Sequence, residues 1–173
     1  AQLESLGQLD NTWIIYSSDH GEMLGDHSLM AKLNFYRSSV QVPLIIRPPG
    51  GTVERVETAP VQALDIAATL LDAGSASPLE DASAESLLPI VSDSESPTRN
   101  HVASMIRLRP DLPTWQAITD GHWRATFNRD NGEASELFNL VEDPDEANNL
   151  IAGTAPTDVL DHLSDALTST LEK

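Results

Sequence analysis

The residues whose chemistry is most informative lie in the run SDHGEMLGDH at positions 18–27, which is followed by Lys32. Asp19 and His20 offer a carboxylate and an imidazole on adjacent residues. Both groups bind metal ions where the backbone turns sharply, and Gly21 permits such a turn. Oxygen ligands with one imidazole suit Ca²⁺, Mg²⁺, Mn²⁺ or Zn²⁺. Because two ligands do not complete a site, the run predicts half of a divalent-metal site.

Each of these residues also has an ordinary structural alternative. For Asp19 the alternative is a helix N-cap, and for His20 it is a hydrogen-bonded loop residue. For Lys32 it is a loop lysine in solvent. Asp26 and His27 either orient His20 or Lys32 or make plain loop hydrogen bonds. The residue types alone leave these alternatives open.

The charge balance of the chain is strongly acidic. Its 173 residues include 27 acidic and 10 basic ones, which gives a formal net charge of −17. Nucleic acid and anionic membranes are therefore not expected as partners, because neutralising phosphates needs a basic patch. Lys32 is the only lysine before the C-terminal Lys173, which makes it a candidate functional cation. The absence of cysteine excludes disulfides, zinc–thiolate sites and cysteine nucleophiles within the chain.

The ends of the chain carry little information about its location. The first residues, AQLE, contain neither a basic region nor an apolar run, so we expect no signal peptide in this chain. Its apolar stretches are far shorter than the roughly 20 residues of a membrane span. The chain does not begin with Met, which leaves room for a natural upstream part. The compartment stays unassigned.

The elements around the candidate site predict an α/β domain. The spacing of leucines predicts the end of a helix over residues 1–10. Two continuous apolar runs, at 12–16 and 42–47, predict strands buried on both faces of a parallel sheet. The first strand ends just before the SDHG run, at the edge of the sheet where open α/β domains bind ligands. Residues 61–74 predict an amphipathic helix with Leu64 on its apolar face and Gly74 as the C-cap.

The second half of the chain has a different pattern. After a polar connection over 75–100, with one short helical piece around 85–91, come short runs separated by the turn signals DG and DNG. A C-terminal helix over 156–171 is predicted to pack on the resulting antiparallel sheet. The predicted strands span residues 101–106, 114–119, 123–128 and 135–140.

Two other groups of polar residues are assigned structural roles. The acidic run from Asp143 to Glu146 lacks the glycine and distal glutamate of an EF-hand, so we interpret it as a turn with its acids in water. His101, His122 and His162 are scattered and are interpreted as surface or packing residues.

Several segments resemble one family when they are taken in order. The run SDHGEMLGDH, the following lysine and the segment VPLIIRPPG are similar to the late part of the catalytic domain of sulfatases, which belong to the alkaline-phosphatase superfamily. The segments VQALDIAATLLDAG, ITDGHWRATF and ELFNLVEDPDEANNL are similar to segments that follow in that family. The resemblance covers most of residues 10–150.

The resemblance implies a fold and a division of the chain. It implies an α/β fold, in which the C-terminal end of an alkaline-phosphatase-like, mostly parallel sheet domain is followed by a small antiparallel sheet with a packed C-terminal helix. Residues 1–75 would be the C-terminal part of the catalytic domain, and 76–100 an exposed connection. Residues 101–173 would form the C-terminal antiparallel subdomain with its helix.

The resemblance also implies roles for the candidate residues. Asp19 and His20 match the family's second pair of metal ligands, usually for calcium, with Mn²⁺, Mg²⁺ and Zn²⁺ as alternatives. Lys32 matches a lysine that contacts the sulfate group and is the implied catalytic and substrate-binding residue. His27 lies in the same stretch and is a second candidate for substrate binding. The implied substrate is a sulfate ester.

The chain departs from the family pattern in three ways. The motif of the formylglycine nucleophile is absent, the family's first Asp-Asp pair is absent, and Trp123-Arg124 stands where many relatives have Tyr-Lys. We therefore expect a missing N-terminal portion to supply the nucleophile, and we expect this chain alone to be inactive. The alternatives are a phosphonate or phosphate mono- or diesterase of the same superfamily, and a non-catalytic remnant that binds a partner.

Overall fold

A computed structural model describes residues 2–51, 54–79, 83–92, 99–153 and 155–171. Two sheets and five α-helices are found among these residues. The strands are β1 Ile14–Ser17, β2 Leu44–Arg47, β3 Val102–Ile106, β4 Trp115–Thr119, β5 Trp123–Asn128 and β6 Ala134–Asn139. The helices are α1 Gln2–Ser5, α2 Arg37–Val40, α3 Ala63–Ala73, α4 Leu88–Val91 and α5 Thr157–Leu171. In the described part of the chain, no helix is both long and apolar enough to span a membrane.

The first sheet consists of β1 and β2, which pair antiparallel with Ile14 opposite Arg47 and Ser17 opposite Leu44. The α/β class predicted from the sequence is confirmed, but the parallel orientation predicted for these two strands is wrong. A parallel pair needs a crossover connection, usually a long helix. The connection between β1 and β2 contains only the single turn α2 and a 3₁₀ turn at Asp26–Ser28, so the chain folds back beside β1.

The predicted burial of both faces of this sheet is also wrong for this chain. Ile14 and Tyr16 of β1 are exposed, and Ile45 of β2 is 61% exposed. The other residues of the two strands are half-buried. A continuous apolar run normally indicates a strand covered on both sides. Here the run is present, but the described residues do not cover the outer face of the sheet.

The second sheet confirms the predicted antiparallel arrangement. Its strands follow chain order, β3-β4-β5-β6, with every neighbouring pair antiparallel. The tight turns between the last three strands carry Gly121 and Gly132 at φ values of 86° and 74°. Such positive φ values favour glycine, which explains why the DG and DNG signals mark the turns.

Helix α5 closes one face of this sheet, as its leucine spacing predicted. Leu163 and Leu167 point into a core formed with residues of β4, β5 and β6. The buried members of this core are Ile118, Ala125, Phe127, Leu137, Leu163 and Leu167. At about 25 cal/mol per Å² of apolar surface, burial of this set is the main stabilising term of the C-terminal half.

Helix α3 is found where it was predicted, and Gly74 is its C-cap, but its buried face is not the apolar one. Leu64 is half exposed, whereas Asp65 and Thr69 are buried. Asp65 forms a bidentate ion pair with Arg99 at 2.9 Å, and Thr69 Oγ1 accepts the backbone N–H of Leu87. These polar contacts attach the segment after the helix to that face.

The predicted exposed connection over residues 76–100 is therefore only partly exposed. Residues 76–79 are exposed, but 84–91 are half-buried or buried beside α3, with Leu87 5% exposed. Residues 80–82 and 93–98 of this connection lie outside the described residues.

Candidate metal site

The candidate site is built on the loop that leaves the end of β1. Buried Met23 anchors this loop, and its backbone N–H donates to the carbonyl of Ala31. The loop turns tightly enough that several non-glycine residues adopt positive φ, which few residues tolerate without cost. These residues are Leu24, His27, Ser28, Ala31 and Leu33. The turns bring Lys32 back toward the start of the loop.

The loop brings Asp19, His20 and Lys32 together. The Nζ atom of Lys32 contacts Nε2 of His20, and the same Nε2 lies 3.3 Å from Oδ2 of Asp19. The Asp19 side chain is 83% exposed and that of His20 is 36% exposed, so the group opens to solvent. The two predicted metal ligands and the predicted sulfate-binding lysine thus form one cluster, although their roles stay predictions.

The hydrogen bonds of His20 indicate which ring nitrogen carries the proton. Nδ1 lies 2.7 Å from the carbonyl oxygen of Gly21, and a carbonyl oxygen can only accept a hydrogen bond. Nδ1 is therefore the donor, which leaves the lone pair of a neutral ring on Nε2. A histidine that binds a metal through Nε2 commonly donates its other N–H to a backbone carbonyl in this way.

The electrostatics of Asp19 favour its ionised form. Desolvation acts to raise its pKa, but the positive charge that His20 carries when protonated, the backbone N–H groups of Asp19 and His20, and the charge of Lys32 act to lower it. The net result is a pKa below the ordinary value of a carboxyl group. Asp19 is therefore negatively charged at neutral pH.

The cluster fits a divalent cation as far as its donor set goes. Oδ2 of Asp19 lies 3.3 Å from Nε2 of His20, which carries the imidazole lone pair. The Nζ atom of Lys32 contacts the same nitrogen. Among the described residues, no group of three or more His, Cys, Asp or Glu side chains could hold a metal ion. Asp19 and His20 thus place one oxygen and one nitrogen donor side by side, and their role as metal ligands stays a prediction.

Gly21 is required because the turn α2 approaches the loop closely. The Gly21 N–H donates to the carbonyl of Ser39 at 2.8 Å, and a Cβ atom on Gly21 would overlap the carbonyl oxygen of Ser38. The sequence argument assigned Gly21 a role in turning the backbone. The structure adds that the residue after His20 must be small to let α2 pack against it.

His27 lies at a different part of the loop from the metal-ligand pair. Its ring stacks on Tyr36 with a centroid distance of 3.9 Å, and Asp26 accepts a hydrogen bond from the Ser38 hydroxyl. These contacts are the loop interactions that the sequence argument gave as the alternative to orienting His20 or Lys32. Both residues line a cleft of about 430 Å³ between the loop and the turn at 144–147.

The sequence argument missed a buried ionic network beneath this loop. Arg124 is 4% exposed and donates to Glu146 at 2.5 Å and to Glu136 at 2.8 Å. Its guanidinium also lies over the rings of Tyr36 and Phe138, at 5.3 and 4.7 Å from their centroids. The signal in the sequence was an arginine at the second position of a predicted strand, which needs a partner when it is buried.

The interpretation of the acidic run 143–146 is therefore wrong for one of its acids. Glu146 is 2% exposed and bonded to Arg124, whereas Asp145 is exposed. Asp143 caps the turn by accepting the backbone N–H groups of Ala147 and Asn148. A partner 22 positions earlier in the chain decides the burial of Glu146, and the local sequence does not show it.

Tyr36 connects this network to the loop. Its hydroxyl donates to Glu136 at 3.3 Å, while its ring contacts His27 on the other side. Burial raises the pKa of Tyr36, and the nearby negative charge of Glu136 raises it further. Tyr36 is therefore a neutral hydrogen-bond donor at neutral pH, and it joins the C-terminal sheet to the wall of the cleft.

Comparisons with known proteins agree on one family. The family model "Sulfatase" matches residues 1–76. The chain is 30% identical over 174 residues to the "Uncharacterized sulfatase YidJ" of Escherichia coli (strain K12), covering 96% of this chain and 33% of that protein. It is 35% identical over 148 residues to the "Choline-sulfatase" of Rhizobium meliloti (strain 1021), covering 82% of this chain and 27% of that one. The chain thus spans about a third of the length of these relatives.

A solved structure extends the likeness to the whole chain. The phosphonate monoester hydrolase of Agrobacterium radiobacter superimposes with a TM-score of 0.80 and 26% sequence identity. The match covers 98% of this chain and 37% of that one, so both halves of the chain have counterparts in a single known fold.

Proposed function

Because the chain belongs to the sulfatase family, of which it represents a C-terminal portion, we propose that it contributes half of a metal site and one substrate-binding cation to an enzyme that hydrolyses sulfate esters. The observation that carries this proposal is the convergence of Asp19, His20 and Lys32 after β1. The rest of the site would belong to an N-terminal portion of the complete protein.

Asp19 and His20 would hold the metal, with Ca²⁺ as the first candidate and Mn²⁺, Mg²⁺ or Zn²⁺ as alternatives. A bound divalent cation would supply charge neutralisation for the sulfate oxygens and activation of the nucleophile, for which we propose a formylglycine on the N-terminal portion. Within this chain, the Gly21 carbonyl keeps the His20 proton on Nδ1 and leaves the lone pair on Nε2, which Lys32 contacts in this structure. The lowered pKa of Asp19 keeps its carboxylate ionised.

Lys32 would bind the sulfate group and stabilise the negative charge that develops on it during hydrolysis. A lysine ammonium is a compact point charge with three N–H donors, which suits a tetrahedral anion in a tight site. A metal and Lys32 compete for the same lone pair on His20. If His20 held a metal, the Lys32 ammonium would lose this contact and would be available to bind the sulfate group.

His27 would contact the substrate from the cleft at its own part of the loop. Its stacking on Tyr36 fixes the plane of the imidazole. Asp26, Asp145 and the cationic Arg37 line the same cleft, which therefore carries charges of both signs. We assign His27 to the alcohol part of a sulfate ester, because Lys32 is the residue proposed to bind the sulfate group.

A phosphonate or phosphate ester hydrolase is the second candidate. It is favoured by the superposition on the phosphonate monoester hydrolase, whose TM-score of 0.80 spans both halves of the chain. Sulfate monoesters and phosphonate monoesters present similar tetrahedral anions to a metal and a lysine. The nucleophile that the N-terminal portion carries would separate the two reactions.

The test uses the complete protein with Asp19→Ala and His20→Ala. We expect each variant to lose bound metal and to lose turnover of an aryl sulfate by at least about a hundredfold, without unfolding. Metal content is measured by mass spectrometry, and turnover is compared on an aryl sulfate and an aryl phosphonate monoester. Asp130→Ala and His122→Ala, at exposed turn positions, are the matched controls.

The outcomes separate the candidate functions. Loss of metal together with loss of sulfate turnover supports the sulfatase proposal, and preferential loss of phosphonate turnover supports the second candidate. Full metal occupancy in both variants would rule out the assignment of the metal ligands. A complete protein that turns over neither ester would favour a non-catalytic role.

A further inference from the structure

Glu146 lies at the contact between the C-terminal sheet and the candidate site. It is 2% exposed, and its backbone adopts a left-handed φ of 53°. This conformation is uncommon for a residue other than glycine, so surrounding contacts must hold it. Those contacts come from two separate parts of the chain.

The two oxygens of the Glu146 carboxylate bind different partners. Oε1 accepts a hydrogen bond from Nε of Arg124 at 2.5 Å, and Oε2 accepts one from the backbone N–H of Arg37 at 2.6 Å. Arg124 belongs to β5, and Arg37 is the first residue of the turn α2. One carboxylate thus ties the beginning of α2 to the antiparallel sheet.

The turn α2 is in direct contact with the backbone beside the metal-ligand pair. The carbonyl of Ser39 accepts the N–H of Gly21, the residue after His20, and the space at Gly21 is closed by the carbonyl of Ser38. The Gly21 carbonyl in turn accepts a hydrogen bond from Nδ1 of His20. A shift of α2 would therefore be transmitted to the orientation of the His20 ring.

The other end of the connection is buried. The guanidinium of Arg124 lies over the rings of Tyr36 and Phe138, and its Nη1 donates to Glu136 and Thr126. Its Nη2 atom is buried with no hydrogen-bond partner among the described residues. A buried ion pair with one nitrogen unsatisfied contributes little to stability compared with apolar packing, so stability alone does not account for it.

We propose that Glu146 is a positioning residue for the metal site, and this inference rests on the function proposed above. Glu146 holds α2 against Gly21 from the C-terminal sheet, and through Gly21 it fixes the backbone and ring of His20. The C-terminal half of the chain thereby contributes to metal binding without supplying a ligand.

The test is Glu146→Gln in the complete protein. Glutamine keeps the shape, but its NH₂ group must face an N–H donor whichever way the amide is turned, because both partners of Glu146 are donors. In the metal-free protein we expect the Gly21 amide to exchange its hydrogen at least about tenfold faster. We expect the Kd for Ca²⁺ or Mn²⁺, measured by calorimetry, to rise about 10- to 100-fold, with a similar fall in kcat.

Glu142→Gln is the matched control. Glu142 is an exposed acid four residues earlier in the same segment, so its neutralisation changes the net charge equally. We expect wild-type exchange at Gly21, wild-type metal affinity and wild-type kcat. If Glu146→Gln lowers the thermal midpoint but leaves Gly21 exchange and metal Kd at wild-type values, Glu146 is only structural and the proposal is wrong.

A second variant covers the case in which Glu146→Gln does not fold. Combining it with Arg124→Met removes both charges of the Arg124–Glu146 pair. Glu136 loses Arg124 as well, but it is partly exposed and still accepts hydrogen bonds from the hydroxyls of Tyr36 and Thr126. We expect this double variant to fold and still to show fast Gly21 exchange and weak metal binding. Failure of both variants to fold would overturn the positioning role in favour of a structural one.

The Asp19→Ala variant separates this inference from the function on which it rests. If Asp19→Ala keeps its metal and turnover, the proposed function fails, while Gly21 exchange in Glu146→Gln still reports whether α2 is held. If Asp19→Ala loses both and Glu146→Gln changes nothing, the proposed function stands and the positioning role is wrong.

Discussion

The two sheets of this chain differ in what covers their apolar residues. In the four-stranded sheet, helix α5 packs over a buried set that includes Ile118, Ala125 and Leu137. In the sheet formed by β1 and β2, Ile14, Tyr16 and Ile45 are exposed. Isolated exposed apolar residues are ordinary, but adjacent ones on a short sheet indicate a surface that needs a partner.

This difference shows that the candidate site and the stable core are in separate parts of the chain. Asp19, His20 and Lys32 follow the poorly covered sheet, whereas the packed core lies in the C-terminal half. The exposed apolar face would be covered if the N-terminal portion of the complete protein packs on β1 and β2. The contacts of Glu146 and Tyr36 connect α2 and the loop to the C-terminal sheet.

The largest expected effect is on stability, from Leu163→Ala in α5. Leu163 is 0% exposed in the core of the C-terminal half. Truncating a buried leucine removes its transfer energy and leaves a cavity, so we expect a loss of about 3–5 kcal/mol in the free energy of unfolding. Urea denaturation of the chain, followed by circular dichroism, measures this loss.

Leu171→Ala is the control for that substitution. Leu171 lies on the same helix but is 45% exposed, and its truncation is expected to cost less than about 1 kcal/mol. Equal losses for the two variants would show that α5 is not packed on the sheet as described. The contrast between the C-terminal half, which has its own packed core, and the sheet of β1 and β2, which has none, would then fail.

The next largest effect is on rate, from Lys32→Ala. We expect turnover of an aryl sulfate by the complete protein to fall about a hundredfold, or about 3 kcal/mol, with little change in the free energy of unfolding. Lys32→Arg is expected to be poor as well, because a planar guanidinium does not replace a compact ammonium. The measurement is kcat/KM together with a urea unfolding curve for each variant.

Arg107→Ala removes an exposed cation far from the site and serves as the control. It is expected to leave both the rate and the stability within error of the wild type. Near-normal turnover by Lys32→Ala would indicate that Lys32 is a solvated loop residue. A large loss of stability in Lys32→Ala would instead show that the lysine holds the loop together.

A third substitution, Ile45→Ala, tests the uncovered sheet directly. In the chain alone we expect a change below about 0.5 kcal/mol in the free energy of unfolding, because the side chain is 61% exposed. In the complete protein we expect the free energy of unfolding to fall by about 2 kcal/mol, because truncating a covered isoleucine removes buried apolar surface. Val141 is 66% exposed in the C-terminal half, so Val141→Ala should change the free energy of unfolding little in both proteins. Equal small effects at both positions would contradict the idea that another part of the protein covers β1 and β2.

Much of the fold was predictable where local signals decide it. Alternating short runs with DG and DNG turns predicted the four strands, and leucine spacing predicted α5. The adjacency of Asp19 and His20, and the rarity of lysine, also singled out the residues that the structure brings together. In each case the pattern lies within a few residues of the element that it specifies.

The features that could not be predicted depend on partners distant in sequence. The burial of Glu146 requires Arg124 and the backbone of Arg37, which lies 109 residues away. The burial of Asp65 in α3 requires Arg99. The antiparallel pairing of β1 with β2 follows from the fold of the connecting loop, because the continuous apolar run that favoured a parallel sheet reflects coverage of both faces and does not fix strand direction.

The smallest expected effect is the pH dependence of stability at His101, in the packed half of the chain. Burial lowers the pKa of His101, and His162, whose ring lies 5.3 Å away on α5, lowers it further, while Asp120 acts to raise it. The folded chain therefore binds this proton less readily than the unfolded chain, whose histidine titrates near its ordinary pKa of about 6.5. The stabilising contribution is present above that pH and is lost as the pH falls through the lower pKa of the folded state.

The substitution His101→Gln should reduce the drop in thermal midpoint between about pH 7.5 and pH 5, because the neutral side chain cannot be protonated. The effect should be smaller than those of Leu163→Ala and Lys32→Ala, since it involves one half-buried group whose Nε2 lacks a hydrogen-bond partner among the described residues. His122→Gln, at an exposed turn, should leave the pH dependence as it is in the wild type. An unchanged drop in His101→Gln would assign the pH dependence to other groups. A larger drop would show that folding raises the pKa of His101 and would contradict this prediction.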